Sequence, residues 1–217
     1  MIITRDILAA FKKWKTSTDR KPILIKGARQ IGKTWVMEEF GRQCYEHYVK
    51  FDFDEQQELT SVFQTTKDPH RIIKELELFC DVPILPEKTL IIFDEIQECE
   101  EALNSLKYFC ENAPEYHIVA AGSLLGVAVK KKHMKTPVGK VNVFRMHPLT
   151  FREFLRAADP KLYEYADSLD EIKHLPEIML NKLNLEFRRV MVGGGMQEGA
   201  STFLDGGGLG WVAKVLT

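Results

Sequence analysis

At 217 residues the chain can hold one good-sized domain and part of a second, and 45% hydrophobic with 28% charged residues is the balance of a folded globular protein. A net charge of −1 supplies no overall field that would draw in nucleic acid or an anionic membrane surface. The four cysteines, Cys44, Cys80, Cys99 and Cys110, have no metal-ligand spacing and read as reduced thiols of a cytoplasmic protein, and the charged opening Thr4-Arg5-Asp6 is unlike a secretory leader.

Residues 4–16 carry Ile7, Leu8, Phe11 and Trp14 at helical spacing, with Lys12, Lys13 and Lys15 opposite, which predicts an amphipathic helix laid over a sheet. Pro22 leads into the apolar run Ile23-Leu24-Ile25, a buried strand. Gly27-Ala28-Arg29-Gln30-Ile31-Gly32-Lys33-Thr34 follows and matches G-x-x-x-x-G-K-[ST], a loop that wraps phosphates with its backbone N–H groups. Trp35 to Phe40 continue as the first turns of a helix, so the motif has the strand–loop–helix context it needs. Gly27 and Gly32 are expected to supply backbone conformations that a Cβ resists. The helix start would add partial positive charge behind the phosphates. Lys33 would reach the β- and γ-phosphates and the Thr34 hydroxyl would bind Mg²⁺.

Tyr48 to Phe53 alternates as a second strand. Two helical stretches come next, the second opening on Asp68 as N-cap and Pro69 at the first helical position, with Ile72, Ile73, Leu76 and Phe79 as its core stripe. Thr89-Leu90-Ile91-Ile92-Phe93-Asp94-Glu95 is an apolar run ending in acids, the pattern of a buried parallel strand that delivers a carboxylate to the sheet's C-terminal edge. Asp94 fits the Walker B position, holding Mg²⁺ directly or through water, and Glu95 is placed to polarise an attacking water. The strand at 48–53 separates the two motif strands along the chain, as in the ATPases that carry their own catalytic acid. The guanine-specifying N-K-x-D is absent, since Asn181-Lys182-Leu183-Asn184 lacks the acid, which favours ATP over GTP.

Residues 99–111 read as a helix with Leu103, Leu106, Tyr108 and Phe109 on or near its apolar side. Tyr116 to Ser123 reads as another core strand. Ser123 at its end either contacts the γ-phosphate or attacking water as a sensor, or caps the helix that follows. The uncharged stretch from Ile118 to Val129 is too short to span a bilayer. Lys130-Lys131-Lys132-His133-Met134-Lys135 is a basic cluster expected to be a solvated loop. Val141 to Met146 returns to strand alternation, and Thr150-x-x-Glu153 is a capping box opening a helix over 151–157.

Taken together, these stretches resemble the AAA+-type bacterial and archaeal ATPases in which an AAA domain precedes a DUF4143-type C-terminal region. The resemblance rests on Lys26 to Thr34, on Ile92-Phe93-Asp94-Glu95-Ile96-Gln97-Glu98, on Ala121-Gly122-Ser123-Leu124-Leu125-Gly126 and on Pro148-Leu149-Thr150-Phe151-Arg152-Glu153-Phe154, in the family's order and over about residues 5–157. It implies an α/β fold of the P-loop three-layer type, with parallel strands in the order 5-1-4-3-2, and Ser123 at the sensor. It also implies ATP and Mg²⁺ at the sheet edge. The expected binding set is Gly27 to Thr34 with Trp35, the metal residues are Thr34 and Asp94, and the catalytic ones are Lys33, Glu95 and Ser123. Residues 1–149 would form the ATP-binding domain and 150–204 a helical, partly winged-helix-like segment. The family's Gly-Gly-Met-Pro-Glu is altered to Gly194-Gly195-Met196-Gln197-Glu198, and eight of the fourteen glycines follow residue 192, so 205–217 reads as a glycine-rich tail or truncated end.

The function so implied is Mg²⁺-dependent ATP hydrolysis driving conformational change. The competing reading is a nucleotide-gated binding switch with negligible turnover. A protein partner or self-association is expected, composition argues against nucleic acid, and no membrane is involved. Arg145, Arg152, Arg188 and Arg189 are arginine-finger candidates by residue type alone.

Overall fold

The computed structural model describes residues 3–122, 137, 139–169 and 175–192. Ser123, the lysine cluster at 130–135 and the glycine-rich stretch from 193 onward lie outside the described residues.

The central sheet has five parallel strands, β1 (Ile23–Lys26), β2 (His47–Asp52), β3 (Thr89–Asp94), β4 (His117–Gly122) and β5 (Asn142–Arg145), in the order β2-β3-β4-β1-β5. Every residue of β3 and β4 is buried, as expected of strands covered on both faces. Edge strand β5 leaves Val143 exposed while its Phe144 ring packs edge-on against Phe11 at 5.2 Å. This is the order 5-1-4-3-2 that the family resemblance implies, read from the opposite edge, with β1 and β3 as the two motif strands. In the sheet, the strand lying between them is β4, and β2 sits at the outer edge beside β3.

Helices cover the sheet on both sides. α1 (Ile7–Lys15) and α2 (Lys33–Cys44) supply Phe11, Trp14 and Phe40 to an edge-to-face aromatic set, with Phe11 and Phe40 at 5.4 Å. α3 (Leu59–Thr65), α4 (Pro69–Cys80) and α5 (Glu100–Asn112) close over Val49, Phe51, Ile91, Phe93 and Ile118, where Phe53, Phe63 and Phe93 stack at 5.6–5.7 Å. α4 starts as its sequence predicts, the Asp68 side chain accepting from His70 N at 3.1 Å, and it ends on Asp81 in the left-handed region. α1 is shorter than the 4–16 pattern suggests, and Tyr108 of α5 is only half-buried.

By contacts the described chain divides into two units. One contains Leu8–Arg29 and Lys33–Met146 and carries the sheet. The other gathers the described residues of Met1–Ile7, Gln30–Gly32 and His147–Thr217. In it the capping box opens α6 (Phe151–Ala158), with Thr150 Oγ1 accepting from Glu153 N and the Glu153 carboxylate accepting from Thr150 N at 2.9 Å. α7 (Pro160–Asp167) follows, with Asp159 as its cap and Pro160 in its first turn. α8 (Glu177–Val192) follows, and Ile3, Leu149, Phe154 and Val190 form a small core. Among the described residues no helix is long and apolar enough to cross a membrane, and the four cysteines are free thiols.

Two consequences of packing can be measured. A Cβ added at Gly41 of α2 would lie 2.8 Å from Tyr48 Cβ on β2, closer than real contacts allow. Gly41→Ala should therefore lower the urea midpoint, the overpacking cost of about 1–3 kcal/mol exceeding the roughly 1 kcal/mol that alanine normally contributes in a helix. A raised midpoint would show that α2 and β2 separate without cost. The second concerns His117, whose ring is buried beside Trp14 and Tyr45, with Tyr45 Oη 2.8 Å from Nδ1. Burial first, then the charges of Arg20 and Lys15, pushes its pKa down to about 4. The folded state thus holds it neutral while the unfolded chain takes up a proton below about 6.5, so stability falls as pH drops from 6.5 towards 4. Replacing it, in His117→Gln, should flatten the pH dependence of the thermal midpoint across that window.

Candidate functional site

The glycine-rich loop joins β1 to α2 as the motif requires. Gly32 takes φ 86° and Gln30 φ 60°, so the left-handed turns fall on these two residues. Gly27 is not among the residues of positive φ, which corrects the expectation that both motif glycines bend the loop in that way. Ala28, Arg29 and Gln30 are exposed, Ile31 is buried, and Trp35 is half-buried in the first turn of α2. That first turn holds no acidic residue of its own.

Lys33 is buried, and its Nζ donates to Ala28 O at 2.7 Å and Gly27 O at 3.4 Å. Burial lowers its pKa, the nearby charges of Glu95 and Asp94 work in the opposite direction, and Arg29 adds to the lowering. Asp94 is the last residue of β3 and is also buried. Thr34 Oγ1 donates to its Oδ2 at 2.6 Å and Glu95 N to its Oδ1 at 3.0 Å, so both carboxylate oxygens are fixed. Burial raises the Asp94 pKa against these two hydrogen bonds, helped by the charges of Glu95 and of Asp52, its register partner on β2.

Glu95 stands in the left-handed region, at φ 44° and ψ 43°, and turns the chain out of β3 into the short 3-10 turn Ile96–Glu98. A non-glycine residue there costs about 1–3 kcal/mol and persists only when its surroundings impose it. Gln97, buried in that turn, donates from Nε2 to Glu95 Oε2 at 2.6 Å, while its own Oε1 is buried without a partner. Gln97 is a site residue that motif reasoning passed over. In the sequence it is one residue of the Asp94-Glu95-Ile96-Gln97 run, and a buried amide next to a strand-end acid is a signal that sequence alone does not separate from a solvated turn.

Lys33, Thr34, Asp94 and Glu95 are thus brought together at the C-terminal edge of the sheet. Ser123 lies outside the described residues. Arg145 is exposed on β5, Arg152 pairs with Asp167, and Arg189 pairs with Glu186 at 2.8 Å, so two of the arginine candidates are engaged within their own unit. The donor set suits Mg²⁺. The hydroxyl of Thr34 and the carboxylate of Asp94 are hard oxygen ligands, and their 2.6 Å separation is near the roughly 2.9 Å edge of a magnesium octahedron. Among the described residues no group of three His, Cys, Asp or Glu could hold a metal by itself.

A parallel sheet with the phosphate loop and an acid-ended strand separated by one intervening strand defines a P-loop nucleoside triphosphatase fold. The profile of the AAA domain family matches residues 19–155, and the chain belongs to that family of nucleotide-binding ATPases. No curated protein matches it. Among solved structures it is similar to C. elegans PCH-2 (11% identity, TM-score 0.44, covering 97% of this chain and 66% of that one). It is also similar to the Aeropyrum pernix ORC2 protein, solved as ADPNP-ADP complexes (14% identity, TM-score 0.46, 73% and 51% coverage). The Aeropyrum pernix ORC1 protein, solved in complex with DNA, matches at 12% identity and TM-score 0.41, with 87% and 65% coverage. The chain therefore spans about half to two thirds of the length of these structures.

The buried carboxylate yields a prediction. Because the folded pKa of Asp94 is raised, its ionised form opposes folding at neutral pH. Asp94→Asn should raise the thermal midpoint of the nucleotide-free protein at pH 7 while removing the Mg²⁺ dependence of nucleotide binding. A lowered midpoint would mean that the hydrogen bonds from Thr34 and Glu95 N outweigh the burial of charge.

Proposed function

We propose that the chain binds ATP with Mg²⁺ and hydrolyses it to ADP and phosphate. The observation that carries this reading is the hydrogen bond of 2.6 Å from Thr34 Oγ1 to Asp94 Oδ2, which joins the start of the loop helix to the end of β3. Mg²⁺, when bound, neutralises phosphate charge and orients the phosphate oxygens. Thr34 and Asp94 would hold it, and the fixed orientation of both Asp94 oxygens would preorganise that contact. Lys33 exchanges the loop carbonyls of Gly27 and Ala28 for phosphate oxygens, an exchange of weak acceptors for charged ones. The backbone from Gly27 to Thr34 lines the phosphates, and Trp35 begins the helix behind them.

Glu95 takes the proton of the attacking water. The proximity of its carboxylate to Lys33 and Asp94 is reflected in the pKa shifts of both. Gln97 steadies one Glu95 oxygen in the reactive arrangement. Ser123, next in sequence after the last residue of β4, is assigned as the sensor by that position and by the family resemblance. Residues 1–149 would act as the ATP-binding domain, with the segment to 204 receiving the conformational change.

The same Gln97–Glu95 hydrogen bond also favours a nucleotide-gated switch, because a carboxylate engaged by an amide is a poorer base. Single-turnover hydrolysis and equilibrium binding separate the two. Lys33→Ala should lose ATP binding, whereas Glu95→Gln should bind ATP as wild type does and hydrolyse it about 10²–10⁴-fold more slowly. Equal hydrolysis by Glu95→Gln and wild type would remove Glu95 as the base. Wild-type binding without turnover would establish the switch.

A further inference from the structure

Arg5 is almost fully buried, at 3% exposure, and its guanidinium meets three acceptors. Nη1 donates to Ile31 O at 2.8 Å, Nη2 to His147 O at 2.7 Å and Nε to Glu153 Oε1 at 3.1 Å. Glu153, itself 4% exposed, also accepts from Asp6 N at 2.8 Å and from Thr150 N and Oγ1 at 2.9 and 3.1 Å. Burial alone would raise the Glu153 pKa, and these hydrogen bonds with the Arg5 charge bring it below the usual carboxylate value. A buried ion pair of this kind is seldom a net source of stability, since an apolar pair of similar volume often serves as well. What Arg5 does that an apolar residue cannot is hold a carbonyl of the phosphate loop.

Ile31 lies between Gln30 and Gly32, the two loop residues of positive φ. All described peptide bonds are trans, and a planar trans peptide points its N–H opposite to its C=O. Fixing the Ile31 carbonyl on the protein side therefore fixes the Gly32 N–H on the other side, where the loop wraps its ligand. Gly32 can rotate through more of backbone space than any other residue, so this peptide plane is the one in most need of an anchor. We propose that Arg5 is a positioning residue for nucleotide binding: its guanidinium sets the Ile31–Gly32 peptide plane so that the Gly32 N–H is presented to the phosphates. This rests on reading the loop as a triphosphate site. Glu153 acts one step behind it, accepting from Nε and so fixing the orientation of the guanidinium towards the Ile31 and His147 carbonyls. Lysine would be a poor substitute, because one ammonium cannot span acceptors arranged for a fork.

The test compares full-length wild type, Arg5→Lys, the double variant Arg5→Met/Glu153→Gln, and Lys33→Ala. In the double variant both charges are gone and glutamine still closes the capping box. Three readouts are taken: Kd for ATP with Mg²⁺, thermal midpoint without nucleotide, and amide exchange over residues 27–34. In both Arg5 variants the expected result is a Kd raised at least about tenfold and faster exchange in the loop, with the midpoint and the exchange of β3 unchanged. Wild-type Kd and loop exchange in a folded Arg5 variant overturn the proposal. Loss of fold in both variants overturns it as well, in favour of a purely structural ion pair. If Lys33→Ala binds ATP as well as wild type, it is the underlying site reading that fails.

Discussion

Parallel pairing of β1 with β4, and of β4 with β3, is the constraint on which the remaining architecture depends. In a parallel sheet all strands end on the same side, so the residue after β1 and the last residue of β3 emerge at one edge. Strands lie about 4.8 Å apart, which puts β1 and β3 roughly 10 Å from each other, a gap that a direct side-chain contact between strands would not cross. The loop crosses it instead. It leaves β1 and returns as α2, whose second residue, Thr34, meets Asp94. The end of β4 beneath this path is Ala120-Ala121-Gly122, side chains small enough to let the loop and helix pass over.

That geometry gathers charges that are each unfavourable alone. Burial drives Lys33 towards its neutral form and Asp94 towards its own; the charges of Glu95 and Asp94 restore part of the Lys33 charge, and hydrogen bonds from Thr34 and Glu95 N restore part of that on Asp94. The exposed ion pairs elsewhere, such as Arg71 with Glu75, carry little energetic weight by comparison. The site is therefore tuned by its surroundings, with the ligand's phosphates and metal as the natural complement to what burial has taken away.

Much of this was legible in the sequence, because the signals were local. The phosphate loop, the all-apolar β3 ending in Asp94, the Asp68-Pro69 helix start and the Thr150–Glu153 capping box each depend on residues close together in the chain. What remained hidden was long-range or required three dimensions. Arg5 looked like one charged residue at an ordinary helix start, and nothing nearby announces a partner at Ile31 or Glu153. Gln97 carries no periodic signature. The lateral placement of β4 between the two motif strands follows the order 5-1-4-3-2 that the family resemblance implies, since chain order by itself carries no information on lateral placement. Of the two motif glycines only Gly32 takes positive φ, with Gln30 beside it, since a motif specifies which residues tolerate a conformation and not which ones adopt it. α7, by contrast, was readable from Asp159-Pro160.

The left-handed backbone at Glu95 has a consequence for how this protein can change over generations. Glycine would occupy that conformation without strain, and asparagine nearly so. Stability therefore favours discarding glutamate at this position, while the chemistry assigned to its carboxylate favours keeping it. Random drift filtered only for a well-folded product would erase the acid first. A lineage that retains it is one in which the activity itself is under selection, and consensus-style stabilisation of this fold would have to leave residue 95 untouched.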